Sequence, residues 1–101
     1  MKKILLITLA AAGATSALGQ TAAVSPPGRL LASNCFQCHG TDGRGSGTFE
    51  RLAGESAREI AEELREMKAE NKRGDIMTIH AKGYTDAQIA LIADYLSKQR
   101  R

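Results

Sequence analysis

Two stretches of the chain carry a helical hydrophobic repeat. In the first, Ile60, Leu64 and Met67 recur at spacings of four and three, which places them on one face of a helix. Arg58, Glu62, Glu63, Arg65, Glu66 and Lys68 fill the remaining positions with mixed signs, the pattern of a solvated helix face and not of a binding patch. Ser56 and Glu59 form a capping-box pattern at its start, each side chain able to satisfy the other residue's free backbone N–H. Lys72 and Arg73 suit the negative end of this helix, and Gly74 is placed to close it. In the second stretch Thr85 and Gln88 repeat the capping pattern. Ile89, Ile92 and Leu96 then share a face, with Tyr95 at its edge, in a helix that runs to the chain end.

The intervening segments read differently. Residues 20–27, QTAAVSPP, form a linker ending in two prolines, and GRLLASN at 28–34 is a short helical turn running into the cysteines. GTDGRGSGT at 40–48 holds four of the ten glycines and reads as loop. No segment sustains period-two alternation, so strands have no support. The expected fold is all-α, with three to four short helices: an N-terminal helix, a glycine loop, a central helix, a linking loop and a C-terminal helix. The domain spans 28–101.

The first 19 residues stand apart. Lys2 and Lys3 precede an apolar stretch from Ile4 to Ala17, and small residues follow, which is the grammar of a secretory signal peptide cleaved after Gly19 or Ala23. The apolar run falls short of the roughly 20 residues that span a bilayer, so the mature chain is expected to have no membrane span and to be periplasmic. Removing Lys2 and Lys3 takes the basic residues from 14 to 12 against 11 acids. The apparent basicity therefore belongs largely to the leader, and nucleic acid is not an expected partner.

Roughly 80 residues remain, one small domain of a size that commonly needs a disulfide, metal or cofactor to complete its core. Its aromatics are Phe36, Phe49, Tyr84 and Tyr95, with no tryptophan. Cys35 and Cys38, the only cysteines, are followed at once by His39, one of two histidines. Cys-x-x-Cys-His is a signal for c-type haem attachment. On a helical turn the two sulfurs can form thioethers to one porphyrin edge, and the adjacent imidazole can turn toward the iron. The rivals each leave something over. A thiol redox motif expects a βαβ neighbourhood. Structural zinc needs four ligands, and the adjacency of Cys38 and His39 strains a tetrahedron counted with Cys35 and His80. A disulfide explains neither the histidine nor the glycine loop.

A proximal histidine leaves the opposite iron face open, and electron carriers close it with Met or His. The candidates are Met67, Met77 and His80. Met67 lies on the apolar stripe of the central helix, where packing is its simpler role. Met77 sits in GDIMTIHAKG, outside both predicted helices, in a loop able to fold over a flat cofactor, and is the expected distal ligand. His80 reads as a surface imidazole. Lys72, Arg73 and Lys82 flank this loop; ordinary solubilising charge is their simplest reading, with steering of an acidic partner the alternative. No catalytic constellation is visible, so no enzymatic role is expected.

Cys35-Phe36-Gln37-Cys38-His39-Gly40, Leu52-Ala53-Gly54, Met77 and Ala81-Lys82-Gly83-Tyr84-Thr85-Asp86 together resemble a small class I cytochrome c. The closest resemblance is to the cytochrome subunits of flavocytochrome c sulfide dehydrogenases, and it covers about residues 28–98. It implies one covalent haem c on Cys35 and Cys38, with His39 proximal and Met77 distal, and N- and C-terminal helices packed together. It also implies an FAD-bearing sulfide dehydrogenase subunit as electron donor and another cytochrome or oxidase as acceptor. The alternative is a free, diffusible class I carrier. Relatives usually place a proline after the glycine loop, whose carbonyl holds the proximal histidine; the resemblance puts Thr48 in that role here.

Overall fold

The computed structural model describes residues 25–101; the segment read as a signal peptide and most of the linker lie outside the described residues. Helix α1 (Arg29–Ala32), a 3₁₀ turn (Ser33–Cys35) and α2 (Phe36–His39) follow one another, and the residues at their joints keep right-handed helical backbone, so they form one N-terminal helical run. A second 3₁₀ turn (Thr41–Gly43), α3 (Ala57–Ala69), α4 (Ile76–Lys82) and α5 (Asp86–Ser97) complete the order. No strand occurs among the described residues, and the fold is all-α as the periodicity predicts.

Helix α5 is the centre of the packing, lying against both α1 and α3, while α4 packs on α3. Its predicted stripe is the core: Ile89, Ile92 and Leu96 are fully buried, facing Ile60, Ala61 and Leu64 of α3. Each such side chain contributes about 1.5–3 kcal/mol on leaving water. Met67 packs against this cluster, in keeping with its place on the stripe. The Thr85–Gln88 capping box is complete, with bonds of 2.9 and 3.2 Å. At α3 only half of the predicted box forms: Ser56 accepts the Glu59 N–H at 3.5 Å.

Gly28 permits the helices at the two ends of the domain to meet. Its φ of +85° favours glycine, and a Cβ there would stand 2.1 Å from the Leu91 carbonyl oxygen. The start of α1 thus touches the backbone of α5. Tyr95 reinforces the junction. It is 4% exposed, not at the edge of the helix face, and its hydroxyl donates to the Asp42 carboxylate. Arg29 approaches the same carboxylate at 3.3 Å and lies 5.9 Å above the Phe36 ring.

The structure corrects the sequence reading in three further places. Helix α3 stops at Ala69, because Glu70 is extended (ψ 148°); Lys72 and the turn at Arg73 and Gly74 lie beyond it and do not cap it. The glycine stretch contains the Thr41–Gly43 turn. The linking segment contains α4, so Met77 is a helical residue and not a loop residue. Asp75 starts that helix by accepting the Thr78 N–H at 2.9 Å. Seven residues are too few to display a repeat over two turns, which hid α4 from a periodicity argument.

Candidate cofactor site

A cavity of about 430 Å³ opens between the N-terminal run, the loop after it, and α3, α4 and α5. Cys35, Cys38 and His39 form one wall, Met77 and His80 contribute from α4, and Leu64 and Ile92 supply apolar surface. A smaller cavity of about 60 Å³ shares Cys35, His39, Met77, Leu64 and Ile92 with it and extends toward Met67. The helical run explains the cysteine wall. Cys35 ends the 3₁₀ turn, and Cys38 and His39 lie in the single turn of α2 that follows. Gly40 breaks that run. Its φ is +79°, and a Cβ would meet the Gly45 carbonyl at 2.2 Å. The chain doubles back there, with the Gly45 N–H donating to the His39 carbonyl at 2.6 Å.

His39 is buried, at 8% exposure, and its Nδ1 lies 2.8 Å from the Glu50 carbonyl oxygen. A carbonyl only accepts, so Nδ1 carries the proton and Nε2 keeps its lone pair for a metal. The acceptor sought at Thr48 is therefore Glu50. Thr48 lines the cavity but does not make this bond. The Phe49 ring packs 5.9 Å from the imidazole, tilted by 57°.

No disulfide joins Cys35 and Cys38; Cys35 is half-buried and Cys38 exposed. Burial, and secondarily the neighbouring Cys38, push the Cys35 thiol above its usual range. Among the described residues no three Cys, His, Asp or Glu side chains are grouped as metal ligands.

The three candidate distal groups occupy different places. Met77 is half-buried and lines both cavities, as His39 does. His80 is exposed and lines only the larger one, and Met67 only the smaller. Sequence reasoning missed Asn34 and Tyr84. The Tyr84 hydroxyl donates to the Leu31 carbonyl at 2.9 Å and accepts from Asn34 Nδ2 at 2.8 Å, tying the cysteine run to the α4–α5 turn beside the cavity. No local pattern marks a contact across 53 residues.

These features suit a flat, largely apolar, iron-bearing group. The volume lies in the range of cofactor pockets. One wall carries two thiols and an oriented imidazole, and a thioether side chain from α4 shares both cavities with that imidazole.

Residues 27–100 match the Cytochrome c family model, and the chain belongs to that family. It is a small class I c-type cytochrome whose cofactor is haem c, for which the Cys35–His39 segment has the attachment motif. It is 40% identical over 68 residues to the cytochrome subunit of sulfide dehydrogenase from Chlorobaculum tepidum, a match covering 67% of this chain and 62% of that one. It is also 40% identical over 63 residues to cytochrome c-552 of Acidithiobacillus ferridurans, covering 62% of this chain and 27% of the relative. Cytochrome c-553 of Nitratidesulfovibrio vulgaris is 32% identical over 103 residues, covering 97% of this chain and 99% of the relative. The chain thus spans less than two thirds of the first two relatives and nearly all of the third.

Proposed function

We propose that the protein is an exported, periplasmic electron carrier and not an enzyme. In this reading Cys35 and Cys38 supply the thioether sulfurs, His39 the proximal nitrogen and Met77 the distal sulfur of a single haem. The observation that carries it is the Nδ1 bond of buried His39 to the Glu50 carbonyl, made in a cavity shared with both cysteines and Met77.

The haem, when bound, supplies one-electron iron chemistry. The chain's own groups prepare the site for it. The Glu50 carbonyl fixes the His39 tautomer and ring orientation and raises the basicity of Nε2. The Met77 thioether would be the second side chain to hold the iron, and a thioether there would disfavour binding of outside ligands and raise the potential relative to a second imidazole. Leu64 and Ile92 keep the cavity apolar. Replacing Met77 with Ala should abolish the ferric absorption band of Met–iron bonding. A variant that keeps the band would refute the distal assignment.

The likeness to a sulfide dehydrogenase cytochrome subunit supports a flavoprotein partner. An FAD-bearing sulfide dehydrogenase subunit gives single electrons to this chain, which passes them to another cytochrome or oxidase. Among the described residues no helix is long and apolar enough to cross a membrane. A free diffusible carrier is the second reading, favoured by the match along 99% of cytochrome c-553. Co-purification separates the two. The subunit reading expects a stable flavoprotein complex and sulfide-dependent haem reduction only in its presence, whereas the free carrier purifies alone.

A further inference from the structure

The carbonyl that orients His39 belongs to a stretch of chain with little backbone support. Upstream of it, the Gly45 N–H donates to the His39 carbonyl at 2.6 Å. Downstream, the Leu52 and Ala53 N–H groups both donate to the Gly43 carbonyl at 2.8 Å. Between these fastenings residues 46–51 make no backbone–backbone hydrogen bond, and the Glu50 carbonyl lies among them. A stretch of this kind opens easily on its own, and each opening that moves the carbonyl breaks its bond to Nδ1.

Two side chains tie this stretch down. The first is Ser46. Its hydroxyl donates to the Cys38 carbonyl at 2.6 Å and accepts the Phe49 N–H at 3.4 Å. Carbonyls at the end of a helix lack intrahelical partners, so one hydroxyl both caps the cysteine run and binds residue 49 back to it. The second is Phe49. It is 49% exposed, yet its ring lies 5.9 Å from the His39 imidazole, tilted by 57°. Aromatic rings at this separation and tilt attract one another. Residue 49 is therefore held by its N–H and by its ring, one position before the carbonyl that His39 needs.

We propose that Ser46 and Phe49 are positioning residues for the proximal imidazole, acting through the Glu50 carbonyl. The Ser46 hydroxyl anchors the loop to the Cys38 carbonyl, and the Phe49 ring seats it on the imidazole. The Glu50 carbonyl then closes the circuit at Nδ1. The cysteine run, the loop and the imidazole thus hold one another. The proposal rests on the reading of His39 as an iron ligand. A well-held Nδ1–H···O bond keeps Nε2 electron-rich, and an electron-rich ligand favours the ferric state. Loosening the circuit should therefore raise the reduction potential.

The test follows solvent exchange of the His39 Nδ1 proton by NMR in the haem-loaded ferrous protein. The backbone amides of Ile92 and Leu96, in the buried stripe of α5, report global opening in the same sample. Ser46→Ala should speed the Nδ1 exchange severalfold, as loss of one modest hydrogen bond does. It should leave the α5 amides at their wild-type rates and raise the reduction potential. Ser46→Thr, which keeps the hydroxyl, should restore both readouts. Phe49→Ala should also speed the Nδ1 exchange without moving the α5 amides. Wild-type Nδ1 exchange in either alanine variant would overturn the proposal, because the carbonyl would then be held without that side chain. Acceleration matched by the α5 amides would overturn it too, by leaving the side chain a role in stability alone. A wild-type spectrum that is not low-spin and six-coordinate would overturn the iron-ligand reading itself, and the proposal with it, so the two failures are told apart.

Discussion

His39 Nδ1 and the Glu50 carbonyl oxygen lie 2.8 Å apart, and the bond depends on the backbone of residue 50 and not on its side chain. Glu50 is exposed, so its carboxylate is free to change without disturbing the acceptor. Glu50→Ala is therefore expected to leave the ferric and ferrous absorption spectra of the haem-loaded protein as they are. Loss of low-spin character in that variant would show that the side chain, not the carbonyl, orients the imidazole.

The contact between Gly28 and Leu91 predicts a large stability effect far from the haem. An alanine at 28 would have to hold φ near +85° and place its Cβ 2.1 Å from the Leu91 carbonyl oxygen. Strain of this kind, added to displacement of α1 from α5, should cost about 2–4 kcal/mol. Thermal unfolding of Gly28→Ala followed by circular dichroism should show a clear drop in Tm. A midpoint within a degree of wild type would mean that the ends are not held by this crossing.

Asp42 and Tyr95 make the same junction sensitive to pH from both sides. The hydrogen bond from Tyr95, aided by Arg29 and Arg44, holds the Asp42 carboxyl below its usual range. Its folded pKa is below its unfolded value of about 3.9, so its contribution is present above that value and is lost as pH falls through the folded one. Burial, then the bond to Asp42, pushes the Tyr95 phenol up. Its contribution is complete below the unfolded pKa of about 10 and is lost as pH rises through the folded one. Asp42→Asn should flatten the fall of stability below about pH 4, and Tyr95→Phe the fall above about pH 10. Denaturant midpoints across pH check both, and unchanged limbs would remove the pair from the pH response.

How much of this was legible in advance follows from the range of each interaction. Helices α3 and α5 could be read because their caps and stripes are local, repeating every three or four residues from Ile60 to Met67 and from Ile89 to Leu96. The Cys35–Cys38–His39 wall was legible for the same reason, since its spacing is itself the chemistry. Helix α4 was not, because its seven residues carry a single Asp75 cap and no glutamate or glutamine three positions on. The basic residues and Gly74 beyond Ala69 imitated a helix end that actually falls earlier. Glu50, Tyr84 and the Asp42–Tyr95 pair act through contacts across 11 to 53 residues, for which no local signal exists.

The positions of Met77, His80 and Met67 define a three-way test of the distal side. Met77 shares both cavities with His39, whereas His80 stands at the surface of one and Met67 belongs to the packed stripe of α3. Ferric spectra of three variants should therefore differ in kind. Met77→Ala should lose the Met–iron band, while His80→Ala should keep it. Met67→Leu conserves volume, so it should also keep the band and shift stability by less than about 1.5 kcal/mol. Loss of the band in Met67→Leu with retention in Met77→Ala would transfer the distal role to α3. A change in His80→Ala alone would transfer it to the exposed imidazole, with a bis-imidazole signature in the wild-type protein as its necessary companion.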